Sequence, residues 1–133
     1  MTTLAQEFGF TVEQATVISS MGLDLVDAGL LDDAVQVFRG LVVLSPSDAN
    51  THAVLGAILH QQGFLVDAEA EYNLAIALSA ETVLARVNRG ELRCARGDAR
   101  GVEDFRVAAR VSSAVSARAA LLLRKYAALS AAS

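Results

Sequence analysis

Three pairs of glycines, Gly22/Gly29, Gly56/Gly63 and Gly90/Gly97, stand seven residues apart within each pair and thirty-four between pairs. The same residue types return around them: Ala34, Phe38 and Leu41 in one unit, Ala68, Tyr72 and Ala75 in the next. A unit of this length holds two helices and is too short to bury their apolar faces alone, so stability and any binding surface both come from stacking neighbours. Function is therefore to be sought on a surface rather than in an enclosed pocket.

Composition favours an all-α chain. Of 133 residues, 53% are apolar, tryptophan is absent and proline occurs once, at Pro46, which gives a single domain a core and leaves little to mark strands. Cys94 is the sole cysteine, excluding an internal disulfide or a cysteine cluster for zinc. Residues 1–10 lack the basic-then-apolar pattern of a signal segment, and apolar runs such as Leu41–Leu44 and Ala119–Leu123 are too short to span a membrane. A cytoplasmic location is the resulting expectation. The net charge of −4 conceals an asymmetry: residues 1–82 carry eleven acids and one base, Arg39, whereas residues 83–133 carry four acids and ten bases. In a stacked array, order in sequence becomes order in space, so one end is acidic and the other basic.

Thr11-Val12-Glu13-Gln14 reads as a capping box opening a helix that runs to about Ala28, with Phe10 and Ala15 placed as a staple. Gly29 permits the turn into a second helix from near Leu31, carrying Ala34, Val35, Phe38, Leu41 and Val42 on one face. Pro46 closes the unit, and Ser47 is placed to cap the next helix. The pattern divides the chain into an N-terminal segment (1–14), repeats at 15–48 and 49–82, a degenerate repeat at 83–113 and a capping helix at 114–131. In the third repeat Gly101, Phe105 and Ala108 fit the small/aromatic/small pattern only after deletion of one residue, which predicts a shorter or tilted helix. Val115, Ala119, Leu122, Tyr126 and Leu129 form the stripe of the cap, while Leu4 and Phe8 indicate no definite element before it all begins.

These residues resemble the tetratricopeptide repeat over roughly 15–111: glycine in the first helix, glycine in the turn, then Ala, an aromatic and Ala in the second helix. Leu41 in place of an alanine and Ala80 in place of a closing proline depart from it. The resemblance implies an all-α fold of three helical hairpins in a right-handed solenoid. A narrower likeness lies in Phe38-Arg39-Gly40-Leu41-Val42-Val43-Leu44, Val54-Leu55-Gly56-Ala57 and Gln61-Gln62-Gly63, which resemble the class II chaperones of bacterial type III secretion. That resemblance implies a groove gripping an extended segment of a hydrophobic translocator.

If the units stack in that manner, the groove is lined by Ser19, Leu23 and Val26, then Asn50, Ala53, Val54 and Ala57, then Leu84, Val87 and Asn88. Ala53 and Ala57 would leave recesses, and Asn50 and Asn88 could bond the backbone of a peptide. The alternative for several of these positions is packing against a terminal segment. The first two helices supply no Lys or Arg, which excludes the clamp some tetratricopeptide proteins use for a C-terminal carboxylate.

Arg86, Arg89, Arg93, Arg96 and Arg100 recur at helical spacing. The first three occupy sites whose counterparts are His52, Leu55 and Leu59, where packing is expected. Either that helix is rotated to present Leu84 and Val87 inward, or the arginines pair with acids such as Asp67, Glu69, Glu71 or Glu81; a surface for an acidic partner, using Arg86, Arg89, Arg93 and Arg96, is the functional reading. Interleaved aromatics are lacking and the first half is acidic, so nucleic acid is excluded as a partner. His52 and His60 are too far apart along one helix to share a metal, and both read as surface or packing residues. Cys94 reads as a packing residue whose thiol Arg93 and Arg96 could acidify. Ser112-Ser113 and Ser116 lack His/Asp companions, and the glycines precede no Lys-Ser/Thr element.

No catalytic constellation, metal site or cofactor motif emerges, so an enzyme is not expected. The leading expectation is a chaperone holding an extended apolar segment, plausibly of a secretion translocator, in its groove. The second is an adaptor docking partners, or a second copy as a homodimer, through its oppositely charged ends.

Overall fold

The computed structural model describes residues 4–111 and 113–132, and among them all regular structure is helical. After a single turn, α1 (Leu4–Glu7), three antiparallel pairs follow: α2 (Val12–Asp27) with α3 (Leu31–Leu44), α4 (Ala49–Gln61) with α5 (Leu65–Leu78), and α6 (Val83–Ala95) with α7 (Gly101–Val111). Two helices, α8 (Ser113–Lys125) and α9 (Ala127–Ala132), close the end against α7. Expectations placed on the side chains of Leu4, Ser112, Ser113 and Val115 fall outside the described residues. No helix among the described residues is long and apolar enough to cross a membrane.

Local chemistry sets these boundaries. Thr11 Oγ1 accepts from the Gln14 N–H at 3.1 Å, and Gln14 Oε1 accepts from the Thr11 N–H at 2.8 Å, so the capping box opens α2 as the sequence predicts. The cap of α4 is Asp48 rather than Ser47: its Oδ1 accepts from the N–H groups of Asn50 and Thr51, and a carboxylate at a helix N-terminus is the stronger acceptor. Gly63, at φ 86°, makes the left-handed turn that joins α4 to α5, and Gly29 and Gly97 do the same in their units.

The helix-interior glycines have a different role. A Cβ at Gly56 would lie 2.7 Å from the Tyr72 ring, and one at Gly22 or Gly90 would lie 2.6 Å from Phe38 or Phe105. Each aromatic of a second helix therefore rests on bare backbone of the first, and all three rings are buried. In the third unit Gly101 stands where Ala34 and Ala68 stand in the others, because any Cβ there would collide with the Gly90 carbonyl oxygen. The one-residue deletion thus sets the backbone of α7 against that of α6 at Gly101 and Gly90.

Two apolar cores result. The larger joins the first two units and takes Ala85 and Leu92 from α6; the smaller gathers Val87, Cys94, Val102, Phe105, Ala108, Ala119 and Leu122. The terminal segment differs from the single helix the sequence predicts. It breaks at Tyr126, whose ring stacks on Phe105 with centroids 6.1 Å apart, and Leu129 still packs against the second core. Gly56→Ala should lower stability by about 1–3 kcal/mol through overpacking against Tyr72. Gly40→Ala, in a helix interior with nothing within 4 Å of the new methyl, should be neutral or stabilising by up to about 1 kcal/mol; urea unfolding of the two variants checks both.

Candidate functional site

The face formed by the first helix of each pair carries two clefts. One, of about 420 Å³, lies between α2 and α4, with Ser19, Leu23 and Asn50 in its lining beside Thr16, Asp48 and Thr51. The other, of about 590 Å³, lies between α4, α6 and α8 and includes Ala57, Leu84 and Asn88. Six of the ten residues predicted for a groove thus border open space. Val26 and Val54 are half-buried at the edge of the first core. Ala53 and Val87 are corrections: at 0% and 2% exposure they are core residues and offer no recess to a ligand.

Helical geometry explains the division on α6. Leu84, Asn88 and Glu91 share the stripe that faces the cleft, whereas Ala85 and Leu92 enter one core and Val87 and Cys94 the other. On α4, Ala57 lines the cleft, whereas Ala53, one turn earlier on the same face, is covered by the first core.

Sequence reasoning did not find what lies across the second cleft. Arg118, Lys125 and Tyr126 reach it from the C-terminal helices, and His60, Gln61 and Tyr72 line it from the repeats. The signal available was the flanking of the Ala119/Leu122/Tyr126 stripe by two cations, which places them at the rim of whatever the cap covers. Tyr72 is half of this site and half of the core. Its hydroxyl lies 3.1 Å from His60 Nδ1 and bonds Asn88, and burial, the leading cause, pushes the phenol above its ordinary range. Asn88 is therefore partly engaged by the protein itself, whereas Asn50 is exposed.

The arginine stripe proves to be internal. Arg89 donates to both oxygens of Asp104, at 2.9 and 2.6 Å, and Arg86 donates to one of them at 3.0 Å. Arg93 and Arg96 both donate to Glu69 on α5, while Arg96 and Arg100 reach Asp98 in the turn. The side chains of Arg86, Arg89 and Arg93 are only 12–16% exposed and Asp104 only 1%. An acidic-partner surface made of Arg86, Arg89, Arg93 and Arg96 is thereby corrected: three of the four are sealed against their own acids, and Arg96, 44% exposed, is already doubly paired. Of the acids foreseen, Glu69 serves; Asp104 was missed because the deletion displaces it by one residue from its counterpart, Glu71. That counterpart bonds His52 Nδ1 at 2.7 Å, and the other nitrogen of the buried ring contacts the Pro46 carbonyl at 2.8 Å. The helix is thus not rotated; where the preceding unit pairs a histidine with an acid, it pairs arginines with one.

Hydrogen bonds from Arg96, and after it Arg93, outweigh burial and hold the Glu69 carboxyl below the usual range. Its contribution to stability is present above about pH 4.3 and is lost as pH falls through the lower folded-state value. Asp98 is held down likewise, first by Arg100. Cys94 moves the other way from the expectation: burial, with Asp104 and Asp98 nearby, raises its pKa, so it is a packing thiol and not an activated one.

The sequence matches no protein-family model and no curated protein. The fold does match solved structures. The type III secretion translocator chaperone SycD of Yersinia enterocolitica is 17% identical, with a TM-score of 0.84 over 96% of this chain and 98% of that one. A type III secretion complex from Aeromonas hydrophila gives 22% identity and 0.86 over 96% and 89%. PcrH of Pseudomonas aeruginosa, in complex with the chaperone-binding region of PopD, gives 24% and 0.80 over 92% and 96%. The chain has the fold of these chaperones along nearly its whole length.

Removing the central acid should be costly: Asp104→Asn leaves three half-buried guanidinium groups short of charge and should lose about 3–5 kcal/mol. Glu69→Gln should cost less and make the acid limb of stability against pH shallower. Chemical unfolding from pH 3 to pH 7 measures both.

Proposed function

We propose that this protein is a chaperone that holds an extended segment of a type III secretion translocator across the α2/α4/α6/α8 face, keeping the client unaggregated until export. The observation that carries the reading is the fold match, over most of both chains, with the chaperone SycD solved with a peptide of the translocator YopD, together with two clefts on the face that such an array offers an extended chain. Leu23 and Leu84, 45% and 37% exposed, are the apolar anchoring points, one in each cleft. Asn50 supplies a free amide for peptide backbone. The adaptor alternative loses its main support, because the basic stripe on which charge-led docking would depend is occupied by the protein's own carboxylates.

Affinity should grow with client length. Burying three apolar side chains contributes roughly 5–9 kcal/mol, and ordering a flexible segment costs about 2–5 kcal/mol, so a short peptide binds weakly. A tight complex needs a segment long enough to cross both clefts. Co-expression with a hydrophobic translocator, followed by gel filtration in about 0.5 M salt, should recover a complex. Leu84→Glu should weaken it at least about tenfold, the loss of one buried leucine, without changing the circular dichroism spectrum. Dissociation in salt, or unchanged affinity of the Leu84→Glu variant, would count against groove binding.

A further inference from the structure

The two clefts differ in charge, and the difference is supplied by a part of the chain outside the repeats. In the α2/α4 cleft the described lining residues are hydroxyls, an amide, apolar groups and one carboxylate, Asp48, with no cation among them. In the α4/α6/α8 cleft, α8 contributes Arg118 and Lys125, and the sole carboxylate of the lining is Glu91. Arg118 donates to Glu91 at 2.9 Å, so those two charges cancel. Lys125 is left over. Its ammonium lies 5.2 Å from the centroid of the Tyr126 ring, the side chain is exposed, and it forms no ion pair among the described residues. A ring face attracts the cation without consuming its donors, so the ammonium is held at the cleft rim with N–H groups free.

We propose that the groove reads charge as well as apolar anchors: an acidic side chain of the bound segment seats against Lys125 at the α6/α8 end. The segment's neutral or basic portion then lies along α2 and α4. This rests on the groove reading above and adds to it a direction for the client. Apolar pockets alone tolerate an extended chain in either sense, since its backbone offers donors and acceptors both ways. A cation at the α6/α8 end of the groove, with none in the lining of the α2/α4 end, breaks that symmetry.

The probes are synthetic peptides of about twenty residues with identical leucine anchors, one carrying a pair of glutamates at one end, one a pair of glutamines and one a pair of lysines. Titrated at about 50 mM salt, the glutamate peptide should bind roughly five- to tenfold more tightly than the glutamine peptide, and the margin should shrink toward unity at about 0.5 M salt. In Lys125→Glu, an exposed position where folding is not at stake, the order should invert in favour of the lysine peptide. A photo-crosslinker beside the glutamates should attach to α6 or α8. Equal binding of all three peptides would overturn the charge-reading inference and leave groove binding intact, and so would crosslinks to α2. Failure of every peptide to bind would overturn the groove reading and this inference with it.

Discussion

The architecture depends on the contact between a ring and a bare helix backbone. Phe38, Tyr72 and Phe105 each rest where Gly22, Gly56 and Gly90 leave no side chain, and this sets the separation of the two helices in every unit. Because the separation is fixed, the first helices lie at regular intervals along one face and the spaces between them become clefts. A larger side chain at any of these glycines would act on the clefts as much as on the core, since the interior cannot absorb the volume without moving a helix.

Onto this constant frame the chain places a changing pair of side chains. At equivalent positions of successive units stand Ile18 with Val37, His52 with Glu71, and Arg86 with Asp104. The first pair packs against the core, the second is a buried ring held by a carboxylate, and the third is the centre of an ionic cluster linking α6 to both α5 and α7. The shift follows need. α6 must divide its apolar residues between two cores, so the joint between the second and third units has less apolar material to hold it. The bidentate contact of Arg96 with Glu69, at 2.8 and 2.9 Å, and the bond from Arg93 to the same carboxylate supply directional cohesion there.

Much of this was legible in the sequence. The glycine period located the hairpins because each glycine answers a local steric demand, and the capping box at Thr11 is a contact between residues three apart. Groove positions were read with less resolution. Asn50 and Asn88 border the clefts, but Ala53 and Val87 lie in the cores, since small or β-branched residues suit a recess and a core equally well. What the sequence did not display was contact that depends on a departure from the period. Asp104 meets Arg89 because a deletion re-registers α7, and Lys125 reaches the second cleft because α8 packs back on the repeats.

The ionic joint also limits how such an array can change in size. Solenoids generally gain and lose units by duplication or excision of whole periods, because each interface resembles the next. Here the second unit carries Glu69 and Asn73 toward a following helix that must bring Arg93, Arg96 and Arg89, and only α6 does so. A copy of the second unit inserted after itself would set Leu59 and Gln62 in place of Arg93 and Arg96 opposite Glu69. Excision of the second unit would strip Arg93 and Arg96 of that same carboxylate. The joint thus works as a key: it lets one particular hairpin follow the second and fixes the order of those two units.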